Sequence, residues 1–383
     1  MKKREITYIL HHFEEENEPF GAVSPPIFQT SNFSFPTFGE FQNAINNEDE
    51  EFLYTRGNNP TIRLVEEKIA KLENGEDARL FASGVSAIAG AVMAFVDRSS
   101  HIVAVKDAYG WAKTLFEEYL FRFGVEVTYV SGEDPEEIED AIRPNTKIIY
   151  LESPTSYTFR IQDLREVADI AKRHHVKTMI DNSWATPYFQ NPIDYGIDIV
   201  IHSTSKYLGG HTDVMGGVVV GKRDDIKQIF ERELLNIGGV ADPFGAWLLL
   251  RGLRTLHIRM ERHFSSVMKV ISYLAQHPKV EEILYPLWEG DPQYRLAKRQ
   301  MRGGASLFSI KLKTKERGIE RFTDKLKYFK KAVSWGGYCS LVVPYLALHP
   351  DAPSELASLV RIYIGLEDPE FLINDLEDAL GVI

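Results

Sequence analysis

The stretch HSTSKYLGG, residues 202–210, sets one lysine among three small hydroxyl residues, directly after the apolar run IDIVI and just before a Gly-Gly turn. Lys206 there is either a solvated surface charge, the commoner fate of such a residue, or a positioned amine able to attack a carbonyl carbon. The residues after the other apolar runs bear on the choice. ARLF is followed by ASGVSAIAG, a glycine turn entering a helix, whose free N–H groups and positive dipole end suit a phosphate. KIIYL is followed by ESPTS, and VKTMI by DNSWATP, which puts Asp181 at a strand terminus. Each has an ordinary reading: an aspartate after a strand is often a turn or helix cap, and SGVSA is equally a tight strand–helix connection. Together they form a set.

The elements expected to position that set alternate. NNPTIRLVEEKIAKLENG reads as a helix capped by Asn59, opened by Pro60 and stopped by Gly75, with Ile62, Val65, Ile69 and Leu72 on one face. Short apolar strands follow: ARLF, HIVAV, VEVTYV, KIIYL, VKTMI, DIVI and GGVVV, most of them separated by helical stretches. Strands buried on both faces with helices between them imply an α/β fold built on a mostly parallel, doubly wound sheet. In such a sheet ligands bind beyond the carboxyl ends of the strands, so Lys206, Asp181 and the Gly84–Val85 turn are expected at one crevice. Amine, carboxylate, hydroxyls and phosphate cradle are together what pyridoxal phosphate needs: a lysine for its aldehyde, an acid for its pyridine nitrogen, and donors for its phosphate.

Three regions are expected: an extended arm over 1–50, a large cofactor-binding α/β domain over 51–241, and a smaller α+β domain over 242–383. The last contains a long amphipathic helix (Leu253, Leu256, Met260, Phe264, Val267, Ile271, Leu274) ended by Pro278, strands SLFSIKL and LVRIYIG, and a helix opened by Asp368 and Pro369. Hydrophobic content of 44% and charged content of 26% are those of a globular enzyme. The net charge of -11 argues against nucleic acid. A single cysteine, Cys339, precludes an internal disulfide and fits a reducing compartment, and no apolar run approaches the roughly 20 residues of a membrane span. The expectation is a cytoplasmic protein without a membrane partner. The acidic runs HFEEENE and NNEDEE read as solvated faces. Eleven histidines, among them His11, His12, His174, His175, His202 and His211, match no ligand spacing, so no metal is expected and they read as surface or supporting residues.

With these residues in place, the chain resembles the cysteine/methionine-metabolism family of pyridoxal-phosphate enzymes, the trans-sulfuration group with the type I aminotransferase-like fold. The motifs run nearly the whole length: GAVSPPIFQT, YTRGNNPT, ASGVSA, DAYG, LESP, DNSWATP, HSTSKYLGGHTD, RGLRTL and VRIYIGLED. The resemblance implies that Lys206 holds the cofactor and moves the Cα proton, that Asp181 pairs with the pyridine nitrogen, and that Tyr109 stacks on the ring and faces the substrate. It implies phosphate contacts from Gly84, Val85, Ser203 and Ser205, with Tyr54 and Arg56 reaching the phosphate of a neighbouring subunit in a homo-oligomer, a dimer of dimers. Arg361 would clamp the α-carboxylate of an amino-acid thioether, with Ser340 and Trp335 also lining the substrate pocket. A catalytically dead binding protein is the rival reading, against which Lys206, Asp181, Tyr109 and Arg361 all stand.

Within the family, SWGGYCSL and Trp184 in DNSWATP are similar to bacterial cystathionine β-lyases, and ESPTSYT lacks the Asn-Pro of the γ-branch. Trp111 stands where methionine γ-lyases carry a cysteine. These features point to β-elimination of L-cystathionine, with γ-elimination or γ-replacement, or a broad cysteine desulfhydrase, as alternatives. Two departures bear on the pocket. Relative to the family it resembles, Cys339 replaces a glutamate, and Tyr363 replaces a small or polar residue on the same strand face as Arg361.

Overall fold

The computed structural model describes residues 2–14 and 21–383. Seven strands form the larger sheet: β1 (Asp77–Phe81), β2 (His101–Val105), β3 (Glu126–Val130), β4 (Thr146–Glu152), β5 (Lys177–Asp181), β6 (Ile199–Ser203) and β7 (Gly217–Gly221). Their order is β1-β7-β6-β5-β4-β2-β3. Strands β2 to β6 pair in parallel, while β7 runs antiparallel between β1 and β6. All seven apolar runs expected as strands are strands, and the sheet is mostly parallel. A second sheet is formed by β8 (Val280–Leu284), β9 (Leu307–Leu312), β10 (Lys330–Lys331), β11 (Leu341–Pro344) and β12 (Leu359–Tyr363), in the order β10-β11-β12-β9-β8.

Local chemistry accounts for the helix ends. Four helices precede or follow β1: α1 (Lys3–His12), α2 (Phe38–Asn46), α3 (Pro60–Glu73) and α4 (Gly84–Met93). The Asn59 side chain accepts from the Thr61 N–H at 2.9 Å, so the cap expected at the start of α3 is present. At its other end Asn74, not Gly75, takes the left-handed conformation, with φ of 60°. The Asn74 amide bonds Asp194 at 2.8 Å, which helps hold a side chain where glycine is the easier choice. The long amphipathic helix is Leu256–Leu274, which stops ahead of Pro278; its expected first residue, Leu253, instead ends a preceding helix, Pro243–Leu253. Asp368 caps the last helix, Pro369–Leu380, as expected.

The first 50 residues are not uniformly extended. Helix α1 buries Ile6 and Leu10, and α2 is closed at its start by a reciprocal bond pair between Thr37 and Glu40. At ten residues α1 repeats its apolar spacing only once, through Ile6, Ile9 and Leu10, which is too short a run to stand out in the sequence. The run HFEEENE lies partly outside the described residues, but its Glu14 is buried at 3% exposure, so this part is no solvated face. Glu14 forms an ion pair with the fully buried Lys68, whose amine also donates to the Leu10 carbonyl at 2.8 Å, and accepts from Arg254 at 2.6 Å.

That buried pair generates a stability prediction. Glu14→Gln leaves the Lys68 ammonium in a dry place with only a carbonyl and a neutral amide. The expected loss is about 3 kcal/mol, the usual cost of orphaning one partner of a buried pair. An unchanged denaturant midpoint for this variant would show that α1 is not held by that charge.

Candidate active site

Strand register brings the acidic groups together. Glu152 ends β4 and Asp181 ends β5, and the two are paired neighbours in the parallel ladder, so their side chains rise on the same face. Asp181 accepts from the Ser183 N–H at 2.9 Å. Burial pushes its carboxyl above the ordinary range, opposed by the Ser183 bonds, His202 and Lys206. Burial, and then the Asp181 charge, push the Glu152 carboxyl up to about 8. Two desolvated carboxylates side by side disfavour double ionisation, and Asp181, with a lysine beside it, is the better placed to stay charged. Glu152 also holds the next loop: it accepts from the Tyr109 N–H at 2.6 Å and from the Ser156 hydroxyl at 2.6 Å. Glu152 lies one residue beyond the apolar run KIIYL, so hydrophobic pattern alone does not mark it as part of the strand.

Lys206 lies in the turn after β6. Its amine donates to Ser334 Oγ at 2.7 Å and sits 5.5 Å from the centre of the Trp335 ring. Burial and then the Arg361 cation lower it to about 8, against a smaller upward pull from Asp181. Arg361, from the second sheet, is thus a second cation close enough to act on this amine. The loop carrying Ser334 packs against the lysine backbone through Gly336. With φ of 88°, a Cβ at Gly336 would lie 2.7 Å from Lys206 Cα, so only glycine fits. Ser334, like Glu152, had no role assigned from sequence.

At the far side of this group, α4 begins at Gly84. The Ser83 hydroxyl takes the Ser86 N–H at 3.1 Å, which leaves the Gly84 and Val85 N–H groups at an open helix end. A Cβ at Gly84 would lie 2.9 Å from Ser203 Cβ, so this end sits directly against the β6 terminus. Ser205 exchanges bonds with the Gly216 backbone, receiving its N–H at 3.0 Å. Below the strands, fully buried His202 bonds Glu73 at 2.6 Å, and Asn182 bonds the same carboxylate at 2.9 Å. These ties clamp the loops after β5 and β6. The Tyr109 ring is 40% exposed, and the Asp181 and Glu152 charges reach its hydroxyl.

Arg361 projects from β12 and is 9% exposed. Its charge is felt at Lys206, Tyr109 and Tyr157, so the second sheet supplies the cationic end of the cluster. Other expected residues lie differently. Ser340 is fully buried, and Glu367 takes both its N–H (2.8 Å) and its hydroxyl (2.9 Å). Tyr54 and Arg56 are about half exposed and stack on each other at 5.4 Å; among the described residues no hydrogen bond or ion pair joins them to Lys206, Asp181 or the α4 end. Trp184 is buried and donates to the Leu307 carbonyl at 2.9 Å, packing against Phe159 and Tyr285. Tyr363 is 1% exposed and donates to the Gly337 carbonyl at 2.5 Å. Its bulk supports the loop that carries Ser334 and Trp335.

This arrangement fits pyridoxal phosphate. A buried amine of lowered pKa faces a strand-end carboxylate, and a capped helix end with two nearby serines offers the donors an anion needs. Among the described residues no cluster of three or more His, Cys, Asp or Glu could hold a metal ion, and no helix is long and apolar enough to cross a membrane.

Comparison with known proteins gives the family. Residues 6–381 match the family described as Cys/Met metabolism PLP-dependent enzyme. An L-methionine gamma-lyase of Treponema denticola is 40% identical, the match covering 94% of this chain and 93% of the relative. A cystathionine gamma-lyase of Bacillus subtilis is 39% identical over 99% of both chains. A cystathionine beta-lyase of Lactococcus lactis subsp. cremoris is 35% identical over 98% of both. The crystal structure of metB from Corynebacterium glutamicum superposes with a TM-score of 0.91 at 33% identity, covering 98% of this chain and 97% of the other. The chain therefore belongs to the Cys/Met-metabolism family of pyridoxal-phosphate-dependent enzymes.

Proposed function

We propose that this enzyme cleaves the carbon–sulfur bond of L-cystathionine by β-elimination, giving homocysteine, pyruvate and ammonia. Bound pyridoxal phosphate supplies the aldehyde that engages amines and the ring that accepts an electron pair. In this reading the Asp181 carboxylate holds the ring nitrogen, and Gly84, Val85, Ser203 and Ser205 hold the phosphate. Tyr109 covers the ring from the exposed side. Arg361 receives the substrate α-carboxylate in its planar fork. Lys206, whose amine is free in useful amount near neutral pH, takes the proton from Cα. Trp335 and the loop ending at Ser340 wall the substrate side. Tyr54 and Arg56, solvent-facing in one chain, serve the site of a second copy in a homo-oligomer.

The observation that carries β-elimination is the seat of the Lys206 amine. Its amine donates to Ser334 at 2.7 Å and lies 5.5 Å from the indole of Trp335, so the SWGGYCSL motif, which is similar to those of bacterial cystathionine β-lyases, borders the amine, and this supports a base that serves the Cα proton alone. Removal of the second, Cβ proton is what γ-chemistry adds. The buried position of Trp184 takes that residue out of the case, since its indole packs in the core. A second reading, γ-elimination, draws on the names of the Treponema and Bacillus relatives, whose identities exceed that of the Lactococcus β-lyase.

The keto acid released from L-cystathionine separates the two: pyruvate is expected, and 2-oxobutyrate would overturn β-elimination. Lys206→Ala is expected to lose the yellow colour on borohydride-sensitive linkage and to lower turnover by roughly 10³-fold or more. Capture of pyridoxal phosphate by the apo-protein provides a pH test. The attacking amine is the deprotonated form, so the capture rate should rise with pH through about 8 rather than through the ordinary 10.5. Arg361→Leu removes a cation that disfavours the charged amine, so the midpoint should move up; a downward or absent shift would contradict the coupling.

A further inference from the structure

The Arg361 guanidinium is buried, yet among the described residues it makes no hydrogen bond and no ion pair. What it does have is an aromatic face: its Cζ lies 4.5 Å from the centre of the Tyr157 ring. That ring is fixed from behind. Tyr345 meets it edge-on at 5.1 Å and 88°, and His349 at 6.2 Å and 81°, while Tyr345 and His349 stack on each other at 4.4 Å. The backbone is fixed as well. Tyr157 sits at φ of 63°, an uncommon conformation for a side chain of this size. The Ser156 N–H donates to the Asp107 carbonyl at 3.1 Å, and the Thr158 hydroxyl to the Asp107 carboxylate at 2.8 Å. Asp107 precedes Tyr109 in the same loop, so the turn that presents Tyr157 is anchored beside the cofactor-facing ring.

A ring face and a carboxylate make different demands on a guanidinium. The ring attracts the cation through its π-cloud and uses none of the five N–H donors, whereas a carboxylate uses two donors along the edge. A ring on the face can therefore hold the side chain in register without competing with an anion at the edge. An acceptor such as a buried glutamate would have to be displaced first. We propose that Tyr157 is a positioning residue that pre-orients Arg361 for the α-carboxylate of the substrate, acting through its ring face and not through its hydroxyl. This rests on the reading of Arg361 as the carboxylate site.

Two small ligands of the holoenzyme separate the possibilities, both followed by the change in cofactor absorbance. Glycine carries an amine and a carboxylate; methylamine carries the amine alone. Tyr157→Ala is expected to weaken glycine about tenfold and to leave methylamine within about twofold, with Tyr157→Phe close to the parent for both. In an Arg361→Leu background, which itself should weaken glycine and spare methylamine, Tyr157→Ala should add nothing. Unchanged glycine binding in Tyr157→Ala, equal weakening of both ligands, or a Tyr157→Phe defect as large as that of alanine would each overturn the proposal. Unchanged glycine binding in Arg361→Leu is a different failure: it would remove the carboxylate site itself, and the proposal with it.

Discussion

Holding an amine out of water beside a second cation is the constraint around which this fold is arranged. Burial and the Arg361 charge both work against the Lys206 ammonium, and a solvated lysine would escape both by swinging outward. The amine stays because Ser334 Oγ receives it and because the Gly336 backbone presses on the lysine main chain from above. A carboxylate one strand away completes the balance of charge. The same conditions that make the ammonium costly make the neutral amine available as a nucleophile and a base.

The two sheets divide this work. The seven-stranded sheet supplies Lys206, Asp181, Glu152 and the α4 end, all at the carboxyl ends of parallel strands where the loops converge. Arg361 comes from β12 of the second sheet, and Ser334 from the loop ahead of β11. A group from one sheet thus sets the basicity of a group from the other. Glu152, in register with Asp181, extends this coupling to the loop of Tyr109: a single carboxyl group answers to its charged neighbour and fixes the Tyr109 backbone.

Aromatic residues in motifs prove uneven guides to specificity. Trp184 and Trp335 both distinguish the motifs of this chain, yet one indole is sealed in the core with its N–H on a carbonyl and the other stands beside the Lys206 amine. Tyr363 shares a strand face with Arg361 but packs under the Ser334 loop, against Tyr207 and His263. Large rings are used for packing wherever a strand faces the interior, so their identity reports on substrate only when the surrounding geometry is known.

Much of the fold was legible from order along the chain. Seven apolar runs, the Asn59 and Asp368 caps and the strand-end positions of Asp181 and Lys206 are local features, set by hydrophobic pattern and by which side chains satisfy a nearby N–H. Helix α1 is too short for its apolar spacing to repeat, and Glu14 reads as solvated until the distant Lys68 is placed beside it. By itself the sequence determined the strands, the family and its pyridoxal phosphate cofactor. Tertiary structure decided what that amine feels: the register that doubles the carboxylates, the Ser334 tether, and the Tyr157 face on Arg361. The tether and the aromatic face join groups about 130 and 200 residues apart in the chain, and electrostatic coupling follows distance in space and local burial, neither of which a linear pattern records.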